Sequence, residues 1–336
     1  MRIGHITALM IMGAPSAAFA APSFDCAKAA SIAEKAICSD TTLSQLDQKL
    51  AASYSSALSR LSVPAQAQVR DGQRQWLKYV GTICGRANPP KKDSRAKPPA
   101  KCLLDEYEER QKQLNSAVTV QDGRAFYYAQ SFKAHRSPEA DDFYGYKSGF
   151  VIWNVSYPQQ DNPKTPQDKL LNAKLAADAK ASAGNFPADS SDDITLDIKL
   201  SAVHPALISF EGVSGSYGHG AAHGQYASFS LHWLVREGRE LKAADIFSAQ
   251  TKWQDFLRDT CFAGVKHFGF VKAPKDLGNT PQEPFAWNLG KNGLTVFFSP
   301  YEVASYADGE PEVTISWDKL KPYLAKTAPA ILEGIN

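Results

Sequence analysis

Residues 150–157 read FVIWNVSY, with apolar positions alternating with polar or aromatic ones. A repeat of two belongs to a half-buried strand whose side chains point to opposite faces in turn. The same repeat recurs in DITLDIKL (193–200), YASFSLHWLV (226–235), LTVFF (294–298) and EVTISW (312–317). Two helical stretches interrupt it: PQDKLLNAKLAADAKA (166–181), and TKWQDFLRDTCFAGVKHF (251–268) with Trp253, Leu257, Cys261 and Val265 on one face. Thr251 and Gln254 are placed as a capping box for the second. Strands in runs with separate helices predict an α+β domain with an antiparallel sheet from about Arg124 onward.

Upstream the period changes. Leu43, Leu46, Leu50, Tyr54, Ala57 and Leu61 recur at spacings of three and four, one apolar stripe of a helix. Thr42 with Gln45 would cap its start, and Ser62 with Pro64 would open a second helix with the stripe Val69, Gln73, Trp76, Val80, Ile83. A third stripe runs through Leu103, Tyr107, Leu114 and Val118. Between the last two lies RANPPKKDSRAKPPAK (86–101), whose six basic residues and four prolines make a stiff solvated loop. These features predict a small all-α bundle.

The cysteines fall with it. Four of the five lie between Cys26 and Cys102, and Cys261 stands alone on its helical face as a core thiol, predicted free. Four cysteines allow three pairings. If the first two helices form a hairpin turning near Leu61 to Pro64, Cys38 and Cys84 are about equally far from the turn, which favours Cys38–Cys84 and leaves Cys26–Cys102. Charge divides at the same place: 15 Lys and Arg against 9 Asp and Glu over residues 26–118, a net of +6, and 21 against 25 over 119–336, a net of -4.

The first twenty residues, MRIGHITALMIMGAPSAAFA, carry Arg2, a short apolar run and small residues at Ala18 and Ala20. This predicts a secretory signal cleaved near Ala20, and no later run of about 18 apolar residues predicts a membrane span. The expected organisation is a signal peptide over 1–20, a disulfide-stapled helical domain over 21–118 and an α+β domain over 119–336, soluble in the periplasm or outside the cell. Export argues against nucleic acid as the partner of the basic loop.

The run C-x(11)-C, then LSQLDQKLAASYSSAL, QRQWLKYVGTIC and CLLDEYEERQKQL, resembles the LprI-type lysozyme-inhibitor domain over residues 26–114. The four cysteines, Leu46-Asp47, Tyr54, Gln73, Trp76 and the Cys-Leu ahead of Tyr107 carry the likeness. The family's W-x-x-x-R-D lacks its arginine and aspartate here, since the chain reads Trp76-Leu77-Lys78-Tyr79-Val80-Gly81. The second half, over residues 210–324, resembles the extracellular domain of the anti-sigma factor RsiV, which also accompanies some peptidoglycan deacetylases. The Tyr-Gly-Gly-Ala-His core of that pattern appears as Tyr217, Gly220, Ala221, Ala222 and His223, with the inserted His219 and the doubled alanine departing from the usual form, and FSPYEVASYADG (298–309) matches its most recognisable loop. In RsiV the domain recognises lysozyme.

In SYGHGAAHG (216–224) two histidines stand four apart, a zinc-like spacing only on a helix. Gly215, Gly218, Gly220 and Gly224 oppose a helix and favour a tight turn ahead of a strand, so no metal and no cofactor is expected. Motifs of metalloproteases, serine hydrolases, nucleotide-binding loops and dinucleotide folds are missing. SWDK (316–319) matches the S-x-x-K of penicillin-recognising enzymes in letters, without the companion S-D-N and K-T-G elements. No enzyme is predicted. Both resemblances imply a binder and inhibitor of lysozyme or a related muramidase, with Tyr217, His219, His223, Tyr301, Glu302 and Tyr306 as the contact residues. The alternative is a module that binds peptidoglycan itself and leaves lysozyme unaffected.

Overall fold

The structure is a computed structural model that describes residues 21–85, 99–137, 149–184 and 192–335. The expected signal segment and most of the proline-rich loop lie outside the described residues.

The helical part comprises α1 (Ile32–Ser39), α2 (Thr41–Ser59), α3 (Val63–Cys84) and α4 (Pro99–Asn115), preceded by a 3-10 turn at Cys26–Lys28. The predicted stripes are the buried faces of α2, α3 and α4, save that Tyr54 is half-buried and Val118 begins a strand. Two caps differ from expectation. Asp40, not Thr42, opens α2, its carboxylate accepting from the Thr42 and Leu43 amides at 2.8 and 3.0 Å. Lys252, not Thr251, precedes α7 (Trp253–Val265), because the Thr251 hydroxyl donates back to the Ser248 carbonyl.

The predicted disulfides Cys38–Cys84 and Cys26–Cys102 are both overturned: the bonds are Cys26–Cys38 and Cys84–Cys102. The hairpin argument fails because α4, not α3, is the main neighbour of α2. Leu103 and Tyr107 fill the space where α2 and α3 would have met. Asp40 starts a new helix directly after Ser39, so Cys38 lies at a corner and meets the preceding 3-10 turn. Each bond is local, with sequence separations of 12 and 18. Chain entropy gives the Cys84–Cys102 loop about 3 kcal/mol of stability. Replacing both cysteines with serine should therefore lower the unfolding free energy by about that amount in urea, with peptide mapping of the unreduced protein confirming the two local pairs.

A seven-stranded sheet follows, in the order β1 (Val118–Gln121), β2 (Arg124–Arg136), β3 (Phe150–Gln160), β4 (Asp192–Val203), β5 (Leu207–Gly218), β6 (Gln225–Leu234) and β7 (Arg239–Glu240). All neighbours are antiparallel except β3 and β4, which run parallel because α5 (Pro166–Ala183) crosses between them. Leu171, Leu175 and Ala179 of α5 pack against Trp153, Leu196, Ile198 and Phe210 on one face of the sheet. On the other, α3 approaches β2 so closely that a Cβ on Gly72 would come within 2.9 Å of the Gln130 carbonyl. Trp76 and Tyr79 share one core with Phe132, Phe150 and Ile152, so the helical bundle is continuous with the sheet.

The rest of the chain forms a lobe around a three-stranded antiparallel sheet of β8 (Trp287–Gly290), β9 (Gly293–Phe297) and β10 (Glu312–Ile315). The short helices α6 (Ala243–Ile246), α8 (Trp317–Leu320) and α9 (Ala328–Ile331) surround it with α7. Trp253, Leu257, Cys261 and Val265 are buried on one face of α7 as their spacing predicts. Ser316 follows β10 and stands at the N-cap position of the four-residue α8 without a side-chain capping bond, rather than simply ending a strand.

Candidate functional site

Strands β5 and β6 stay in register to Ser216 opposite Gln225, so residues 217–224 form the loop of a hairpin. Gly220 takes φ +87°, and the Ala221 amide donates to the Gly218 carbonyl at 2.9 Å, which turns the chain without a helix. The two histidines part company here. The His219 side chain is only 3% exposed, and its Nε2 lies 3.0 Å from Oδ1 of Asp193. Asp193 is placed by the β4–β5 register, opposite Tyr217, and its Oδ1 also accepts from the Ile152 amide at 2.8 Å. His223 turns the other way. Its Nδ1 is 2.8 Å from the Gly224 carbonyl, which can only accept, so in the neutral ring Nε2 accepts from the Tyr301 hydroxyl at 3.1 Å.

Tyr301 comes from the loop between β9 and β10, anchored below by buried Phe298, Val303 and Ala304. Its backbone is left-handed at φ +69°, held by its amide donating to the Ala304 carbonyl at 3.1 Å, and the residue is 49% exposed. Tyr306 begins the 3-10 turn Tyr306–Asp308, opened by Ser305, whose amide donates to the Asp308 carboxylate at 3.0 Å. The Tyr306 ring stacks on His223 with centroids 4.0 Å apart and meets Tyr226 edge-on at 5.7 Å. Tyr301 lies 5.8 Å from Tyr306 and 6.2 Å from His223. Ser228 donates to Glu310 at 2.9 Å and pins the far end of this loop to β6.

Of the six residues expected to form a contact face, His223, Tyr301 and Tyr306 are brought into one cluster. Tyr217 and His219 pair with each other at 5.3 Å beside Asp193. Glu302 turns inward, its carboxylate accepting from the Ser299 amide at 3.0 Å and from the Thr280 hydroxyl. Tyr226 was missed. The alternation in β6 would have found it, since a repeat of two back from His232 through Ser230 and Ser228 puts Tyr226 on the face toward the C-terminal lobe.

The cluster offers wide ring area with hydroxyl and imidazole tips, suited to holding another molecule by packing and hydrogen bonds. Burial pushes the Cys261 thiol up to about 12, so it stays protonated rather than acting as a nucleophile. Ser209 and His232 do lie 2.8 Å apart, but both are buried and the imidazole Nε2 donates to the Trp287 carbonyl at 3.0 Å, joining the main sheet to the C-terminal lobe. Among the described residues no three His, Cys, Asp or Glu side chains gather as a metal site, and no helix is long and apolar enough to cross a membrane.

The architecture is therefore a disulfide-bonded helical segment joined to a sheet-rich segment that displays aromatic loops. Residues 26–114 match the family model described as lysozyme inhibitor LprI, and residues 244–318 match one described as a protein of unknown function, DUF3298. The second match covers α7, the three-stranded sheet and the Tyr301–Tyr306 loop. No curated protein matches the chain. Among solved structures, the chain is similar to a DUF3298 family member from Bacteroides fragilis at 19% identity, covering 61% of this chain and 97% of that one with a TM-score of 0.42. A DUF3298 family protein from Pseudomonas aeruginosa is 16% identical, with 60% and 95% covered and a TM-score of 0.42.

Proposed function

We propose that this chain is an exported protein that binds and inhibits lysozyme or a related muramidase, with His223, Tyr226, Tyr301 and Tyr306 as its contact face. The observation that carries the reading is the match of residues 26–114 to a lysozyme-inhibitor family. The aromatic face supports it as a surface built to meet a partner. Inhibition would be steric and polar: the loops cover the sugar cleft, and the tyrosine and histidine tips present hydrogen bonds to its catalytic carboxylates. The net charge of -4 on residues 119–336, the part that carries this face, would favour approach of a cationic lysozyme on that side against the +6 of residues 26–118, an effect that salt screens. Tyr217 and His219 would shape the hairpin from behind, and Glu302 would set the turn that displays Tyr301.

Because the helices share their core with β2 and β3, the test uses the whole chain rather than a fragment. Full-length protein at micromolar concentration should slow lysis of bacterial cell walls by at least one of several lysozyme types. Failure against all of them, with the protein sedimenting on purified sacculi, would favour the peptidoglycan-binding alternative.

A further inference from the structure

The face of the main sheet turned away from α5 is not fully covered by the helices. Beside α4 it leaves an open cleft of about 660 Å³. The register places its floor: Gln130 stands opposite Ser156, Phe132 opposite Asn154, and Asn154 beside Thr195, all on one face of β2, β3 and β4. Next to it is an inner pocket of about 200 Å³, with Glu109, Gln113, Phe132 and Asn154 in the walls of both and Asp105 and Glu106 also lining the inner one.

Arg110 stands in the wall of the inner pocket and is 1% exposed. Its Nε donates to Gln73 at 2.9 Å, and its Nη1 to Gln113 at 3.0 Å and Gln130 at 2.6 Å. Phe132 and Trp76 lie 5.1 and 5.9 Å from the guanidinium carbon. All of these partners are neutral, although a buried cation ordinarily takes a carboxylate. Burial draws its pKa down to about 10, which leaves it charged at neutral pH. The lysines around it are differently placed: Lys101 is held by Asp105, Lys112 lies 3.7 Å from Glu109, and Lys199 3.0 Å from Asp197. A second group in the same wall lacks a partner, because the buried Oδ1 of Asn154 accepts no hydrogen bond.

We infer that this cleft is a binding site for a sugar acid, whose carboxylate reaches the Arg110 guanidinium and whose hydroxyl or amide groups meet Asn154 and the polar floor. A carboxylate supplies the charge that the guanidinium's neutral partners do not, and meets it at Nη2, since Nε and Nη1 already donate to Gln73, Gln113 and Gln130. Amide and hydroxyl side chains beside the rings of Tyr128 and Phe132 suit the polar edge and apolar face of a pyranose. The site lies on α4 and β2–β4 and is independent of the inhibitory reading, whose residues lie on other loops.

The experiment is calorimetric titration of the full chain with N-acetylmuramate and glucuronate, each against its carboxylate-free counterpart, N-acetylglucosamine and glucose. At least one acid should bind with Kd of about 1 mM or tighter, and at least about ten-fold better than its counterpart. Asn154→Leu, and separately Ser156→Phe, which fills the cleft, should weaken that binding about ten-fold or more while the thermal transition remains cooperative. Arg110→Gln is the direct variant, but it removes a buried interhelical contact, so the other two decide the matter if it does not fold. No binding by either acid, equal binding of acid and counterpart, or undiminished binding by both cleft variants would each overturn the site.

Discussion

Lowering the pH from 7 to 4 should weaken the fold by on the order of 3 kcal/mol through His232 alone. The imidazole is buried, and that burial takes its pKa from 6.5 to about 4, opposed in part by the hydrogen bond to the Trp287 carbonyl. A folded-state pKa below the unfolded one means that the unfolded chain takes up the proton first. The stability from keeping this ring neutral is fully present above pH 6.5 and is lost as pH falls toward 4. Carboxylates such as Asp168 and Asp245, whose pKa values are lowered by contacts in the fold, also lose stability in acid. The comparison that isolates His232 is therefore the stability gap between wild type and His232→Gln in urea. That gap should shrink by on the order of 3 kcal/mol between pH 7 and pH 4. A gap independent of pH would remove the argument.

This residue also joins the two halves of the candidate site. His232 lies on the same strand as Tyr226 and reaches the backbone at the start of β8, while Tyr301 and Tyr306 ride on the loop after β9. If the C-terminal lobe loosens from β6, the stack of Tyr306 on His223 opens with it. Inhibition measured in acid should then fall over the same range as stability.

Much of the scaffold was legible because period is a local property. The stripes of α2, α3 and α7 and the alternation in β3, β4, β6, β9 and β10 depend on neighbours a few residues away. The disulfides were misread because they depend on where α4 sits, and that is decided by how Leu103 and Tyr107 pack, not by spacing along α2 and α3. The glycine-rich loop was legible as a turn, since Gly220 must reach positive φ. The partners of its histidines were not, because Asp193 arrives by sheet register and Tyr301 from 78 positions away. Arg110 gave no signal at all: one arginine among the many charges of α4 looks solvated until β2 closes over it.

Removing the Tyr301 ring should reduce lysozyme binding by about 1 to 3 kcal/mol, roughly five- to over a hundred-fold in Kd. The left-handed backbone makes this test unusually clean. A tyrosine at φ +69° bears strain of order 1 kcal/mol, which a glycine at the same place does not. Tyr301→Gly keeps the amide that donates to Ala304 and deletes a half-exposed ring, so relief of strain and the greater freedom of the unfolded glycine nearly offset. The variant should melt within a degree or two of wild type, by an effect of a few tenths of a kcal/mol. A ring that serves only the fold predicts the opposite pattern, a lowered melting temperature with binding lost in proportion to unfolding. Tyr306→Ala should differ from both, because that ring stacks on His223 and abuts Tyr226. It should weaken binding by a similar factor and also remove the ring that stacks on His223, so that restoring a flat ring with Tyr306→Phe recovers most of the binding. If Tyr301→Gly and Tyr306→Ala both bind lysozyme as tightly as wild type, the contact face lies elsewhere on the molecule, and the helices of residues 26–114 become the surface to mutate next.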